Sequence, residues 1–217
     1  GATIQFIDVN EQKLAELAAD KAQDLLEFRA THDTLTGLLN RQSFITSTDQ
    51  MLNALQPHQS LMVAILNIDA FQQVSNLVTR TEGDQVITDV GYLIRDEIDK
   101  IGITARPGGD EFTIAVHLAE GAEPEAILES IKSHTKDRLF GTSAHHIHLT
   151  LCAGYSIGVE GSNASNLLQE ADLALREAKR AGHGTTKEFD QALRSNLRAE
   201  VTVANAIRDG LVKHEFE

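Results

Sequence analysis

Residues 103–117 read Ile103-Thr104-Ala105-Arg106-Pro107-Gly108-Gly109-Asp110-Glu111-Phe112-Thr113-Ile114-Ala115-Val116-His117. Two short runs, Ile103 to Arg106 and Phe112 to His117, flank a Pro-Gly-Gly-Asp turn, which predicts a β-hairpin. Paired glycines let a backbone take positive φ and approach a ligand closely. Asp110 and Glu111 follow directly. A carboxylate pair beside exposed N–H groups suits a divalent cation carrying a polyphosphate: hard oxygens hold the metal and backbone donors hold the phosphates. Taken alone, the same five residues also describe a solvated acidic turn.

Outward from the hairpin, the pattern is that of a layered α/β domain. Leu61 to Ile68 (LMVAILNI) is a continuous apolar run and reads as a buried central strand. A helical segment follows through Phe71, Val74 and Leu77, and Gly83-Asp84 then opens another with Val86, Ile87, Val90, Leu93, Ile94 and Ile98 on one face. Further helices are predicted over 41–55, 124–137 and 163–181, and a strand over 147–159. Residues 3–9 read as a short strand. Residues 11–31 read as a helix with a broken apolar stripe (Leu14, Leu17, Ala18, Leu25, Phe28), suited either to packing on its own domain or to pairing with a second copy. Residues 189–217 are helical in pattern.

Bulk properties narrow the function classes. The chain has 217 residues, 41% apolar and 24% charged, with a net charge of −13. So acidic a chain is a poor partner for a nucleic-acid backbone, and a phosphate ligand needs a local site. Cys152 is the single cysteine, which excludes an intrachain disulfide, fits a reducing compartment and reads as core. There is no apolar run of membrane-spanning length and no signal-peptide pattern at Gly1, so a cytoplasmic location and no membrane contact by this segment are expected. Lacking an initial methionine, the sequence is expected to be a piece of a longer protein that has room for an anchor elsewhere. His145-His146-x-His148 has no spaced carboxylate partner and reads as a surface loop rather than a metal site.

Four stretches together resemble one family, in its order. Asp33-Thr34-Leu35-Thr36-Gly37-Leu38-Leu39-Asn40-Arg41 resembles the D-x-L-T-G-L-x-N-R opening of GGDEF domains. Arg106-x-Gly108-Gly109-Asp110-Glu111-Phe112 resembles their signature, Ser156-Ile157-Gly158-Val159 their S-I-G-[IV] strand, and Ala171 to Gly182 their A-D-x-A-L-Y-x-A-K-x-x-G ending. The resemblance covers residues 31–188. It implies a central, mostly antiparallel five-stranded sheet flanked by helices, the nucleotide-cyclase-like fold. It also implies a diguanylate cyclase, in which two facing domains join two GTP into cyclic di-GMP with Mg²⁺. Residues 1–30 resemble the exit of a PAS sensor and its connecting helix, and residues 189–217 the lead-in of an EAL domain. The implied parent is thus a PAS–GGDEF–EAL protein, with GTP, a second GGDEF domain and the neighbouring domains as partners.

By the same resemblance, Asp110 is a metal ligand and Glu111 a catalytic or metal group. Gly108 and Gly109 admit phosphate, Lys179 binds it, and Asp84 accepts from guanine. Position 68 contributes to the metal site through Ile68. The family stretch D-[IVL]-D-x-F-K-x-[IV]-N-D is here Asn67-Ile68-Asp69-Ala70-Phe71-Gln72-Gln73-Val74-Ser75-Asn76. The metal-binding Asp is thus Asn67, the phosphate-facing Lys is Gln72, and the guanine-binding Asn is Ser75. Asp69 lies on the strand face of Asn67 and offers a partial substitute. The Tyr of the ending is Arg176 and its last Arg is His183. An amide ligand keeps an oxygen but loses a charge. A lost lysine removes a charge-assisted bond of about 1.5–3 kcal/mol, and Asn to Ser loses about 1–3 kcal/mol of base contact. The expectation is a cyclase weakened or inactive, acting as a GTP-binding regulatory domain; an active cyclase and a dimerisation module are the alternatives. The R-x-x-D of product-inhibited members is Asp99-Lys100-Ile101-Gly102, so feedback binding of cyclic di-GMP there is not expected.

Overall fold

The computed structural model describes residues 9–141 and 146–195. The strand expected over 3–9, part of the histidine run and most of the last helix lie outside these residues. Elements run α1 (Val9–Thr31), α2 (Arg41–Asn53), β1 (Ser60–Ile68), α3 (Phe71–Leu77), α4 (Arg80–Ile98), β2 (Gly102–Gly108) and β3 (Glu111–Leu118). They continue with α5 (Pro124–Asp137), β4 (Phe140–Gly141), β5 (His146–Ile147), β6 (Leu151–Gly158), α6 (Ala164–Ala181) and β7 (Thr186–Glu188). The main sheet has five strands in the order β2-β3-β1-β6-β7. Its pairings are antiparallel except for β6 with β7.

β1 is central, and both of its faces are buried. Met62, Ala64, Leu66 and Ile68 face the core under α4 and α5, and Leu61, Val63 and Ile65 face the core under α2 and α6. That is why its sequence is continuously apolar rather than alternating. At Gly154 of β6, the helix α6 lies against the sheet backbone. A Cβ there would stand 2.0 Å from Leu175 N and 2.4 Å from the Ala171 carbonyl oxygen. Gly102 is as tight, since a Cβ there would meet the Ala115 carbonyl oxygen at 2.1 Å. A side chain at Gly102 would collide with the neighbouring strand β3.

Some expectations are corrected. α4 does not open at Gly83-Asp84. It starts at Arg80, with Thr79 and Glu82 forming a capping box, and Gly83 is buried inside the helix against Phe71 and Val78. The strand expected over 147–159 is two elements, because β5 pairs with β4 in a separate small sheet and β6 begins only at Leu151. Between them, Thr150 turns aside to bond Asp69. The fifth strand of the main sheet is β7, three residues held beside β6 by backbone bonds and by Tyr155 Oη donating to Glu188 at 3.2 Å. Every described side chain of α1 from Lys13 to Ala30 is exposed, Leu14 and Leu26 each at 67%. Among these described side chains none is buried, and the helix meets the domain at its end, where Asn40 Nδ2 donates to the Ala30 carbonyl oxygen at 2.8 Å.

Arg106 ties the two ends of the signature region together. Its guanidinium, 9% exposed, donates to Asp33 Oδ1 at 2.9 Å and, through two nitrogens at 3.1 and 2.7 Å, to the Gly109 carbonyl oxygen. Asp33 in turn accepts from the Thr36 backbone and hydroxyl at 2.9 and 2.7 Å, closing the turn before α2. Burial alone would raise the Asp33 carboxyl. The bonds from Thr36 and Arg106 outweigh it and hold the group below the ordinary carboxylate range. A depressed acid stabilises the fold above its unfolded pKa and loses that contribution as pH falls through the folded value.

Two measurements follow. Gly154→Ala should lower stability by about 3 kcal/mol or more, because the clash is with backbone, read as a drop in urea midpoint; Gly161→Ala, in open space but at positive φ, should cost about 1 kcal/mol. Asp33→Asn should cost about 1–3 kcal/mol at neutral pH, and its gap from the parent chain should narrow below about pH 4, as seen in urea melts across pH.

Candidate functional site

Pro107 is accommodated because β2 is an edge strand and its pairing with β3 shifts between Ala105 and Gly108. Beyond it, Gly108 (φ 151°) and Gly109 (φ 60°) both adopt backbone that side chains disfavour, and nothing stands within 4 Å of where their Cβ atoms would be. The turn therefore offers bare main chain to one side. Its other side is fastened to the end of β1. The Asp110 carbonyl oxygen accepts from Ile68 N at 3.2 Å and from Asn67 Nδ2 at 3.4 Å.

This joint brings one group of the sequence-derived residues together. Asn67, Ile68, Asp110 and Lys179 line one cleft at the end of β1, with Gln72 and His183 at its margin. Asn67 is 6% exposed and spends its amide N–H on the turn. Lys179, exposed in the last turn of α6, makes no ion pair among the described residues. Asp69 lines the cleft as well, but it does not substitute for the missing carboxylate. Its Oδ2 accepts from Thr150 Oγ1 at 2.6 Å and from Gly184 N at 2.7 Å, so it fastens β6 and the loop before β7 to the end of β1. Cys152 forms part of the floor, 1% exposed, with Sγ 3.2 Å from the Gly182 carbonyl oxygen. Burial first, and the neighbouring Asp69 second, push its thiol up, so it is an unreactive core thiol.

Other expected residues fall elsewhere. Glu111 sits directly opposite Asn67 in the β1–β3 register, yet it opens into an adjoining cleft with Arg41, Thr113 and Asp172. Ser75, on α3, donates its hydroxyl to the Gln72 carbonyl oxygen at 2.9 Å. Asp84 is half-buried in α4, where its carbonyl oxygen accepts from Thr88. Neither residue lines the cleft of Asp110 and Lys179.

The donor set at that cleft fits Mg²⁺ poorly. It presents the Asp110 carboxylate and, through Asn67, an amide whose N–H already serves the turn, where the family pattern presents two carboxylates. Among the described residues, no group of three His, Cys, Asp or Glu side chains is arranged to hold a metal ion.

Arg41 and Thr113 were not singled out as site residues by the sequence. Arg41 closes the first quoted motif, and that was its one available signal. Thr113 carries none, because its burial depends on α2 and α6 closing over the sheet.

Comparison with known proteins places this geometry. The chain is 30% identical over 203 residues, 89% of its length, to the cyclic di-GMP phosphodiesterase PdeR of Escherichia coli. It is 28% identical over 185 residues, 84% of its length, to the diguanylate cyclase TpbB of Pseudomonas aeruginosa. It spans 30% of PdeR and 42% of TpbB, well under half of either relative. A solved structure of an N-terminally truncated TpbB from Pseudomonas aeruginosa, comprising only its GGDEF domain, superposes with a TM-score of 0.70 at 25% identity, covering 77% of this chain and 99% of that one. The family model for the diguanylate cyclase GGDEF domain matches residues 30–185, most of the chain. The turn fastened between Arg106 and the end of β1 is thus the signature of a known fold, and the chain belongs to the GGDEF, diguanylate cyclase domain, family of cyclic di-GMP signalling.

Proposed function

We propose that this domain is a weakened or inactive diguanylate cyclase that binds GTP and regulates its neighbours. The observation that carries this reading is the hydrogen bond from Asn67 Nδ2 to the Asp110 carbonyl oxygen. A carboxylate at position 67 has no proton to give. Facing that carbonyl, it would need a cation between them or a different rotamer. The amide closes the joint without a cation and removes one of the charges a triphosphate-bound Mg²⁺ needs. The metal, when bound by this family, neutralises phosphate charge; here Asp110 and the Ile68 carbonyl would be left to hold it.

The remaining residues support binding better than turnover. Lys179, without an ion pair among the described residues, offers a cation to a phosphate, and the bare main chain of Gly108 and Gly109 lets one approach. Gln72 supplies no charge. His183 stands where the family has a fixed cation, and Ser75 and Asp84 are left to meet the base. The PdeR relative, a phosphodiesterase, is consistent with a domain of this kind serving a neighbouring output. We place residues 1–30 as a connector from a PAS-like sensor and residues 189–217 as the lead into an EAL-like domain, with a cytoplasmic location. The exposed apolar side chains of α1 give a homodimer its contact surface.

The purified chain with Mg²⁺ and GTP should yield little or no cyclic di-GMP by chromatography, while calorimetry records saturable GTP binding. Clear turnover would overturn the regulatory reading, and absence of both would leave a dimerisation module. Asn67→Asp with Gln72→Lys and Ser75→Asn should tighten GTP at least about tenfold, or roughly 1.4 kcal/mol; unchanged affinity would remove these positions from the site. Asn67→Asp alone should lower the melting temperature in chelator and recover it with added Mg²⁺, whereas a metal-independent effect would sink the proposed role of the Asn67 bond.

A further inference from the structure

Beyond β7 the chain does not leave the domain at once. Phe189 N donates to the Tyr155 carbonyl oxygen at 2.8 Å, which carries the β7–β6 pairing one residue past the strand. Asp190 then caps a helical turn over residues 191–195. Its Oδ1 accepts from Leu193 N at 2.7 Å, and its carbonyl oxygen accepts from Arg194 N at 3.0 Å. That turn brings Arg194 back against the domain. Its guanidinium donates to Glu170 Oε1 on α6 and lies over the Phe189 ring, 5.2 Å from the ring centre. Glu170 is held from the other side as well. Its Oε2 accepts at 2.6 Å from the hydroxyl of Ser156, a residue of β6 that is 1% exposed.

The two halves of this contact differ. Ser156 and Glu170 both belong to the packed body and bond each other without help from Arg194, so the acceptor is set in place beforehand. The arriving half is wet: the Arg194 side chain is 43% exposed, against 25% for Glu170. Parting them returns a cation to water and leaves Ser156 with its partner. Arg106, with a side chain 9% exposed, has no such freedom. An ion pair as exposed as Arg194–Glu170 is weak and is screened by salt. We propose that residues 190–195 are a strap that closes on the body of the domain and opens from it, with the Arg194–Glu170 pair as its latch and the Phe189–Tyr155 bond as its hinge. Closed, the strap fixes the direction in which the chain leaves α6 and the sheet. Open, it frees that exit at small cost. The pairs Arg176–Asp172 and Arg180–Glu177 cannot act in this way, because both partners of each lie on α6. The strap is independent of GTP binding, and its readouts involve no nucleotide.

Amide hydrogen exchange, followed by NMR on the full 217-residue chain, tests the latch. A helical turn is marginal in water without packing, so the Leu193 and Arg194 amides report whether the strap is docked. Their protection should fall about two- to fivefold when sodium chloride is raised from about 50 mM to about 1 M, while the amides of β1 hold theirs. Arg194→Gln should produce a fall of that size at low salt and abolish the response to salt. Glu170→Gln should do the same while leaving Ser156 an acceptor. Arg194→Lys keeps the charge and should keep the salt response. Protection unchanged by Arg194→Gln, or a salt response in that variant equal to the parent chain's, would overturn the proposal.

Discussion

The guanidinium of Arg106 makes one piece of two distant turns. It is nearly buried, so its charge must be met, and it is met by the Asp33 carboxylate and the Gly109 carbonyl oxygen. One partner lies in the turn that leads into α2, and the other is the crown of the signature hairpin. Either contact alone would leave a buried cation half satisfied. Together they fix the height of the crown above the sheet and the start of α2 beneath it. Both clefts described above open beside that crown, so their shapes rest on this one side chain.

A second constraint works from the other side. β1 delivers Asn67 and Ile68 to the crown, and both donate to the Asp110 carbonyl oxygen. Asp69, one step further, is drawn away to Thr150 and Gly184. The acid and amide at this strand end thus serve as structural fasteners, and the negative charge there is lower than the signature alone suggests. An intact signature and an amide at Asn67 coexist because the loop and the strand end that faces it are separate stretches of sequence.

Much of this was legible in the chain. The apolar run Leu61 to Ile68 declared a strand buried on both faces, and the Gly-Gly turn declared the hairpin. The substitutions at Asn67, Gln72 and Ser75 could be read by position. The start of α4 was legible too, since Thr79 and Glu82 spell a capping box, but Gly83 is the more conspicuous residue and drew the helix start to itself. β7 was not legible. Three residues carry no period, and they become a strand only because β6 lies alongside. Nor was the split of the clefts: Asp110 and Glu111 are neighbours in sequence, but they open to different hollows once the turn is fastened.

Gly102 bears on tolerance as well as on shape. With the Ala115 carbonyl oxygen 2.1 Å from where its Cβ would stand, the β2–β3 backbone occupies the space that a side chain would need. Any residue larger than glycine there meets the neighbouring strand before it meets a ligand. A substitution at this position would therefore act as a shift of the β2–β3 pairing, and it would reach the Gly108–Gly109 turn from the far end of the hairpin.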